Sequence, residues 1–230
     1  MRNPSMRHIA LASLLAGLVA VPGRGQPSSA QLQPTVERIQ LANIEVLRLV
    51  KLLRLEPGMT VADVGAGFGA WTLGFSRWTG PAGRVYATDI AEEALAVLRA
   101  VVAREGLSNV TVIVGAATST NLPAACCDAI LVRNVYHYLL QPAEMIRSFA
   151  ASLKPGGRLA VVDFPPRPNP RAPLDVPPNR GPGGILPEIV EREVGVLLSH
   201  VITIPNWSPE SGSPPPGILP SFVVIFEKAK

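Results

Sequence analysis

Three glycines and one aspartate are the residues of this chain whose types and spacing best suit chemistry. Gly65, Gly67 and Gly69 alternate directly after the apolar run at residues 59–64. Glycine permits a sharp turn and lets backbone come close to a ligand. Asp89 ends the next apolar run, and a carboxylate there could accept hydrogen bonds from both hydroxyls of a ribose. The spacing predicts a nucleoside-binding site.

Two kinds of nucleoside ligand fit this spacing. The run Gly65-x-Gly67-x-x-Ala70 satisfies the fingerprint of a dinucleotide-binding loop. Against that interpretation, Asp63 stands inside the predicted strand, where a dinucleotide site usually has an apolar residue. A long helix also precedes the first strand, and the chain ends in a helix, strand, strand unit. A dinucleotide-dependent oxidoreductase is therefore the less favoured alternative.

Strands and helices alternate along the chain up to residue 163. The predicted strands are continuous apolar runs, which is typical of a parallel sheet covered by helices on both faces. The predicted helices are 35–54, 70–78, 92–105 and 142–153, and the predicted strands are 59–64, 84–88, 110–114, 128–133 and 158–163.

The composition changes after residue 163, since 16 of the 24 prolines lie between residues 155 and 220. We expect an irregular loop at 165–184 and a helix at 187–198. Strands are predicted at 200–204 and 221–227. Two successive strands without a helix between them indicate a hairpin, and hence one antiparallel strand at the edge of the sheet.

Five motifs between residues 55 and 163 carry a resemblance to a known family. They are the LxPGMxVxDxGAGxG run at 55–69, VYATDI at 85–90, the segment 114–123, NVYH at 134–137 and LKPGG at 153–157. Together they resemble the class I S-adenosylmethionine-dependent methyltransferases of the small-molecule type. The resemblance implies an α/β fold over residues 35–230, with a Rossmann-like doubly wound sheet of strand order 3-2-1-4-5-7-6 and strand 7 antiparallel. It also implies S-adenosyl-L-methionine as cofactor.

The resemblance assigns a role to each matching position. Asp63 would fix the amino-acid end of the cosubstrate, Asp89 would hold the ribose, and Ile90 would pack on the adenine. Asn134 would line the side on which the methyl group is transferred. The main chain that passes beside the cosubstrate would be that of Gly65, Ala66, Gly67 and Gly69. The alternatives are a simple strand–helix turn for the glycines and a helix cap for Asp89.

The segment after the third strand departs from the family pattern. Many relatives carry an acid there, in a Gly-Asp-Ala setting, that binds the adenine amino group. This chain has Gly115-Ala116-Ala117 instead. Backbone groups of Ala116 or Ala117 could take over that contact, and Thr118 could supply a hydroxyl.

Tyr136 and His137 are the candidate catalytic residues. Methyl transfer from a sulfonium mainly requires alignment of donor and acceptor, and a base is needed only where the nucleophile must lose a proton. His137 could be that base at neutral pH. The alternative is that both rings only pack against the following helix. Asp163, at the end of the fifth strand, could face the acceptor or brace a loop.

The two cysteines of the chain, Cys126 and Cys127, are adjacent. Two cysteines cannot form a Cys-built zinc site, and we predict no metal. We expect both to be small buried residues at the start of a strand, rather than a redox pair.

The first residues have the layout of a secretory signal peptide. Arg2 and Arg7 precede an apolar run at 9–21, and small and turn-forming residues follow it. The run is shorter than the roughly 20 residues that span a bilayer. We therefore expect a signal peptide at 1–25, a linker at 26–34 and an exported protein, periplasmic or secreted, with no stable membrane insertion after cleavage.

The charge gives no case for a nucleic-acid partner. The formal net charge is +4, and Arg2, Arg7 and Arg24 account for most of it. Aromatic residues make up only 5% of the chain, which disfavours base stacking. The sequence therefore predicts a methyltransferase for a small-molecule substrate. The alternative is an exported methyltransferase-like domain that binds a nucleoside or another ligand without turnover.

Overall fold

The computed structural model describes residue 34 and residues 36–166, 183–207 and 220–230. The predicted signal peptide, and the linker apart from residue 34, lie outside these ranges. Among the described residues, no helix is both long enough and apolar enough to cross a membrane. The helices are α1 (Val36–Leu52), α2 (Ala70–Thr79), α3 (Glu92–Arg104), α4 (Pro142–Ser152) and α5 (Pro187–Val194), with a 3-10 turn at Tyr136–Tyr138. The strands are β1 (Thr60–Val64), β2 (Arg84–Asp89), β3 (Val110–Val114), β4 (Cys127–Arg133), β5 (Leu153–Asp163), β6 (Ser199–Trp207) and β7 (Ser221–Glu227).

The strands form one sheet in the order β3-β2-β1-β4-β5-β7-β6, which confirms the predicted α/β fold and strand order. Strands β1 to β5 run parallel, and β7 pairs antiparallel with both β5 and β6. The antiparallel strand therefore lies one position in from the edge. Val64 is level with Thr88 of β2 and Val132 of β4. The carboxyl ends of the three central strands consequently meet at one edge of the sheet.

Hydrophobic clusters cover both faces of the sheet. Side chains of a strand alternate between its faces, so Val61 packs in the cluster that contains α1 and α2, while Ala62 packs in the cluster that contains α4 and α5. On α1, Ala42, Val46 and Leu49 follow one another at helical spacing and are buried. This packing fixes the ends of the strands that carry the candidate site.

Three elements differ from the sequence-based expectation by three residues or more. Strand β5 begins at Leu153 rather than at residue 158 because the LKPGG segment remains paired: the Gly156 amide donates to the Lys228 carbonyl, and the Lys228 amide donates to the Gly157 carbonyl, each at 2.9 Å. Helix α5 ends at Val194 instead of residue 198. Strand β6 starts soon after it and extends to Trp207.

The two adjacent cysteines correct a further expectation. The structure joins Cys126 and Cys127 in a disulfide, where we expected two separate thiols. Their Cα atoms are only 3.8 Å apart, and the preceding Ala125 has a left-handed φ of 48°, so the chain turns as it enters β4. Cys127 is buried in the hydrophobic core, as expected.

Candidate active site

A cavity of about 420 Å³ lies at the carboxyl ends of the central strands. Its volume is within the range of small-molecule sites, roughly 300–1,000 Å³, and ligands of open α/β sheets collect at this edge. It brings five of the predicted cofactor-binding residues together: Gly65, Asp89, Ile90, Ala116 and Ala117. The other lining residues are Val64, Thr88, Gly115, Ser119, Thr120, Val135, Tyr138, Leu139, Leu140 and Met145.

The glycine loop between β1 and α2 has the backbone conformation that the motif predicts. Gly65, Gly67 and Gly69 have φ values of 74°, 52° and 87°. These lie in the left-handed region, which residues other than glycine rarely adopt. A Cβ on Gly65 would also collide with the side chain of Val135. The loop can therefore pass close to the cavity only with glycine at this position.

Asp89 ties the end of β2 to this loop. Its Oδ2 accepts a hydrogen bond from the Gly67 amide at 2.8 Å, and its Oδ1 accepts one from the Ala91 amide at 2.9 Å. Ala91 directly precedes α3, which has no side-chain cap, so Asp89 contacts the residue before the helix and does not cap it. Because an ionised carboxylate has about four acceptor positions, each oxygen retains room for a ligand hydroxyl. The ribose contact itself remains a prediction.

Asp63 carries a second carboxylate to the end of β1, behind the glycine loop. It is buried, and its Oδ2 accepts a hydrogen bond from the Thr72 hydroxyl at 2.7 Å. Burial raises the pKa of Asp63 to about 6, and the charge of Asp89 adds to the rise, while the Thr72 bond and Arg133 oppose it. Above about pH 6 the site therefore holds two negative charges close together.

A buried carboxylate on α1, which the sequence analysis did not single out, joins four elements beside the site. Glu45 accepts hydrogen bonds from Trp71 Nε1 of α2 at 2.8 Å, Trp207 Nε1 of β6 at 2.7 Å and Arg133 Nε of β4 at 2.8 Å. The Arg133 guanidinium also lies 3.9 Å from the centre of the Trp71 ring. We call these four residues the Glu45 cluster.

Periodicity carried a signal for Glu45, since it lies three residues after Ala42 and four before Leu49 on the buried face of α1. No comparable signal exists for Arg133. It contacts a residue 88 positions away, and only the folded chain brings the two together.

The segment after β3 holds the predicted adenine end of the site. Ile90 is 68% exposed and forms an apolar shelf beside the cavity. The Ala116 amide donates to the Ser119 carbonyl at 2.7 Å within a tight turn, so it is already engaged. Among the described residues, the Ala117 amide makes no backbone hydrogen bond. Of the two predicted amide donors to adenine, the structure therefore favours Ala117.

The segment after β4 places the candidate catalytic residues behind the cavity wall. Tyr136 and His137 are buried, whereas Tyr138 of the same turn lines the cavity. The Tyr136 hydroxyl donates to Glu193 of α5 at 2.9 Å. His137 contacts Asp163, with 2.8 Å between Nδ1 and Oδ1. The catalytic assignment of the two rings remains a prediction.

Some predicted cofactor residues do not line the cavity. They include Ala66, Gly67 and Gly69 of the glycine loop and Asp63 of β1. Asn134 follows β4 with a left-handed φ of 54°, and its backbone amide donates a hydrogen bond to the Val162 carbonyl at 2.8 Å.

Two comparisons with known proteins agree with this architecture. Residues 61–157 match a protein family described as a methyltransferase domain. A SAM-dependent methyltransferase from Aquifex aeolicus superposes with a TM-score of 0.65 at 23% identity, covering 85% of this chain and 95% of that one. The described part of the chain therefore has the fold of a SAM-dependent methyltransferase, and residues 61–157 match a methyltransferase domain. The glycine loop, Asp89 and the segment after β4 all lie within it.

Two curated relatives are named as methyltransferases of quinone biosynthesis or of a demethylmenaquinone. A demethylmenaquinone methyltransferase from Listeria monocytogenes is 34% identical over 118 residues, which cover 50% of this chain and 48% of the relative. The ubiquinone/menaquinone biosynthesis C-methyltransferase UbiE from Pseudomonas paraeruginosa is 36% identical over 120 residues, covering 50% and 45%. The chain thus spans about half the length of these relatives.

Proposed function

We propose that this protein transfers the methyl group of S-adenosyl-L-methionine to a small-molecule acceptor. The observation that carries the proposal is the position of Asp89. Asp89 lines the cavity, and its carboxylate accepts a hydrogen bond from the glycine loop. The loop and the side chain that would bind the ribose are therefore held together before the cosubstrate binds. Preorganisation of this kind lowers the cost of binding.

Each part of the cosubstrate has a chemically matched group in the chain. Asp63, ionised above about pH 6, would balance the ammonium of the amino-acid end. Asp89 would accept hydrogen bonds from the ribose hydroxyls, and Ile90 with the Ala117 amide would hold the adenine. When bound, S-adenosylmethionine supplies a methyl group on a positively charged sulfur. The chain aligns the acceptor with that group and keeps water out, which can contribute several kcal/mol.

An apolar, ring-bearing acceptor of the quinol type fits best. The cavity wall next to the 3-10 turn is formed by Tyr138, Leu139, Leu140 and Met145. Apolar walls with few polar groups favour a flat hydrophobic molecule. The names of the two curated relatives support the same class. We propose no nucleic-acid partner, and we propose export through the N-terminal segment.

The competing function is ligand binding without turnover. It is favoured by Ala116 and Ala117, which stand where the resemblance leads us to expect an adenine-binding acid. Asp63, the glycines and Asp89 are all in place, however, and they favour activity.

Calorimetric titration of the full chain with S-adenosylmethionine, S-adenosylhomocysteine and NAD tests the proposal. We expect heat with the first two ligands only, and binding weaker by about tenfold or more in Asp89→Asn, which loses a charged acceptor. Asp128→Asn, altered at the opposite end of the sheet, is the control and should bind normally. Absence of binding by both adenosyl ligands would remove the proposal, and binding without methylation of any acceptor would favour the alternative.

A further inference from the structure

Two buried polar atoms of the segment after β4 have no hydrogen-bond partner. Within the described ranges, Asn134 Oδ1 and His137 Nε2 are the buried side-chain nitrogen and oxygen atoms in this state. Leaving such an atom unpaired is costly, and unpaired buried groups in folded proteins often have a catalytic or ligand-binding reason. Asn134 and His137 flank Val135 in sequence, and the His137 ring lies 3.9 Å from that of Tyr138; Val135 and Tyr138 both line the cavity.

Asp163 fixes the proton on the His137 ring. Its two oxygens lie 2.8 and 3.0 Å from Nδ1 of the imidazole. They also accept hydrogen bonds from the backbone amides of His137, at 3.1 Å, and Phe164, at 2.9 Å. A carboxylate surrounded by donors acts as an acceptor, so in the neutral ring the imidazole hydrogen lies on Nδ1 and the lone pair lies on Nε2.

The two unpaired atoms are therefore both hydrogen-bond acceptors, and a ligand that pairs with them must donate a hydrogen bond. A tertiary amine or a thioether has none to offer, whereas a hydroxyl does. Tyr136 does not compete for this role, because its own hydroxyl is bonded to Glu193.

Resting on the proposed function, we infer that the acceptor carries a hydroxyl group and that the His137–Asp163 pair removes its proton. Asn134 Oδ1 accepts a second hydrogen bond from the same molecule. His137 is the catalytic residue of this pair, and Asp163 is a positioning residue that holds the ring and stabilises its charged form. The titratable groups in contact with the ring are Asp163 on β5 and Tyr138 in its own turn. The neighbouring Tyr136 hydroxyl is bonded to Glu193 on α5.

The step balances without a further reactant. The hydroxyl proton passes to Nε2, and the electron pair left on oxygen activates that oxygen or a ring carbon conjugated with it. The activated atom bonds to the methyl carbon as the carbon–sulfur bond breaks, with its pair going to sulfur. If carbon attacks, its hydrogen then shifts to restore the hydroxyl. The products are S-adenosylhomocysteine, the methylated acceptor and one proton, which leaves from His137 to water.

Two sets of acceptor probes test this inference on the full chain. Naphthohydroquinone and catechol carry hydroxyls, while trimethylamine and dimethyl sulfide carry no transferable proton. We expect S-adenosylhomocysteine to form with the hydroxyl set only. His137→Gln should lower kcat about a hundred-fold or more, Asp163→Asn should lower it by a similar order, and the matched control His200→Gln should not change it.

The pH profile separates catalysis from structure. At saturating substrates, kcat of the wild type should fall on the acid side, and this fall should be absent in His137→Gln. The acid-side rise in KM for S-adenosylmethionine, which Asp63 causes, should persist in both. Asp163→Asn keeps the shape of the side chain and serves if His137→Gln does not fold.

Methylation confined to the amine and thioether, or a kcat and pH profile unchanged in both variants, would overturn the inference. If S-adenosylmethionine binds but neither set is methylated, this inference and the proposed turnover both fail. If it does not bind, the proposed site itself is wrong.

Discussion

Asp63 makes stability depend on pH in an unusual direction for a carboxyl group. Burial raises its pKa from an ordinary value of 3.8 to about 6, so the native state binds the proton more tightly than the unfolded chain. The free energy of unfolding must then fall as pH rises through this window. We expect the wild type to lose up to about 3 kcal/mol relative to Asp63→Asn.

Urea unfolding of both proteins at about pH 4 and about pH 7.5 measures this difference. Asp128→Asn is the control and should follow the wild type. A stability gap between the wild type and Asp63→Asn that stays constant with pH would contradict the assignment.

Gly65 is the position at which a side chain should do most harm to the loop. In Gly65→Ala the Cβ meets Val135 in addition to the strained φ of 74°. Gly106 has a similar φ of 65° with nothing near its missing Cβ. We expect Gly65→Ala to lose about 2 kcal/mol more than Gly106→Ala, measured by urea unfolding, and to bind S-adenosylmethionine poorly. Equal losses would show that only backbone strain matters, whereas partial recovery in Gly65→Ala/Val135→Ala would support the collision.

Among single residues, the sequence predicted those site residues that lie near one another along the chain. The glycines and Asp89 follow directly from strand ends, and the structure places Gly65 and Asp89 in the lining of one cavity. The partner of His137 was harder to foresee, because Asp163 is 26 residues away and two equally plausible roles were open to it. The Glu45 cluster was missed because helical spacing shows only that Glu45 is buried. Its contact with Arg133, 88 residues away, leaves no local pattern.

The Glu45 cluster ties α1 to α2, β4 and β6 through buried hydrogen bonds. Glu45 is fully buried and satisfies two indole groups and one guanidinium. Removing one partner of a buried ion pair leaves the other uncompensated, which costs about 3–5 kcal/mol. We expect a loss of this size in Glu45→Gln, measured by urea unfolding.

The matched control is Glu92→Gln. Glu92 pairs with Arg99 at 2.8 Å, but both side chains are exposed, and such pairs contribute about 0–1 kcal/mol. A similar small loss in both variants would show that the Glu45 cluster does not hold α1 in place.

Elements with strong apolar periodicity were predicted to within a few residues, and the exceptions have physical causes. Helix α1 was predicted at 35–54 and is Val36–Leu52. Strand β5 is longer than predicted because Lys228, which follows β7, pairs with the LKPGG backbone. The Pro and Gly residues of this segment predict a turn from local sequence. The segment is a strand because the neighbouring chain pairs with it.

At the scale of the whole molecule, the strand order followed from the family resemblance, not from periodicity. Alternating apolar runs indicated a parallel sheet, but many orders satisfy that pattern. The place of β7 between β5 and β6 depends on contacts that no single segment encodes.

Export of the protein is a prediction about the chain as a whole. The N-terminal segment combines Arg2 and Arg7 with an apolar run at 9–21, so we expect a reporter that is active only in the periplasm to work when fused behind residue 34. The mature protein should begin near residue 25 by mass spectrometry. A control that replaces Leu14 and Leu15 with Arg should keep the reporter inside. An inactive reporter and an uncleaved N-terminus would refute export.

A crystal structure of the protein with S-adenosylhomocysteine tests the central claim most directly. We predict the ribose hydroxyls within hydrogen-bond distance of the Asp89 carboxylate, the adenine beside Ile90 and the amino-acid end over the glycine loop. A ligand found elsewhere, or an Asp89 carboxylate without contact to the bound ribose, would contradict the account.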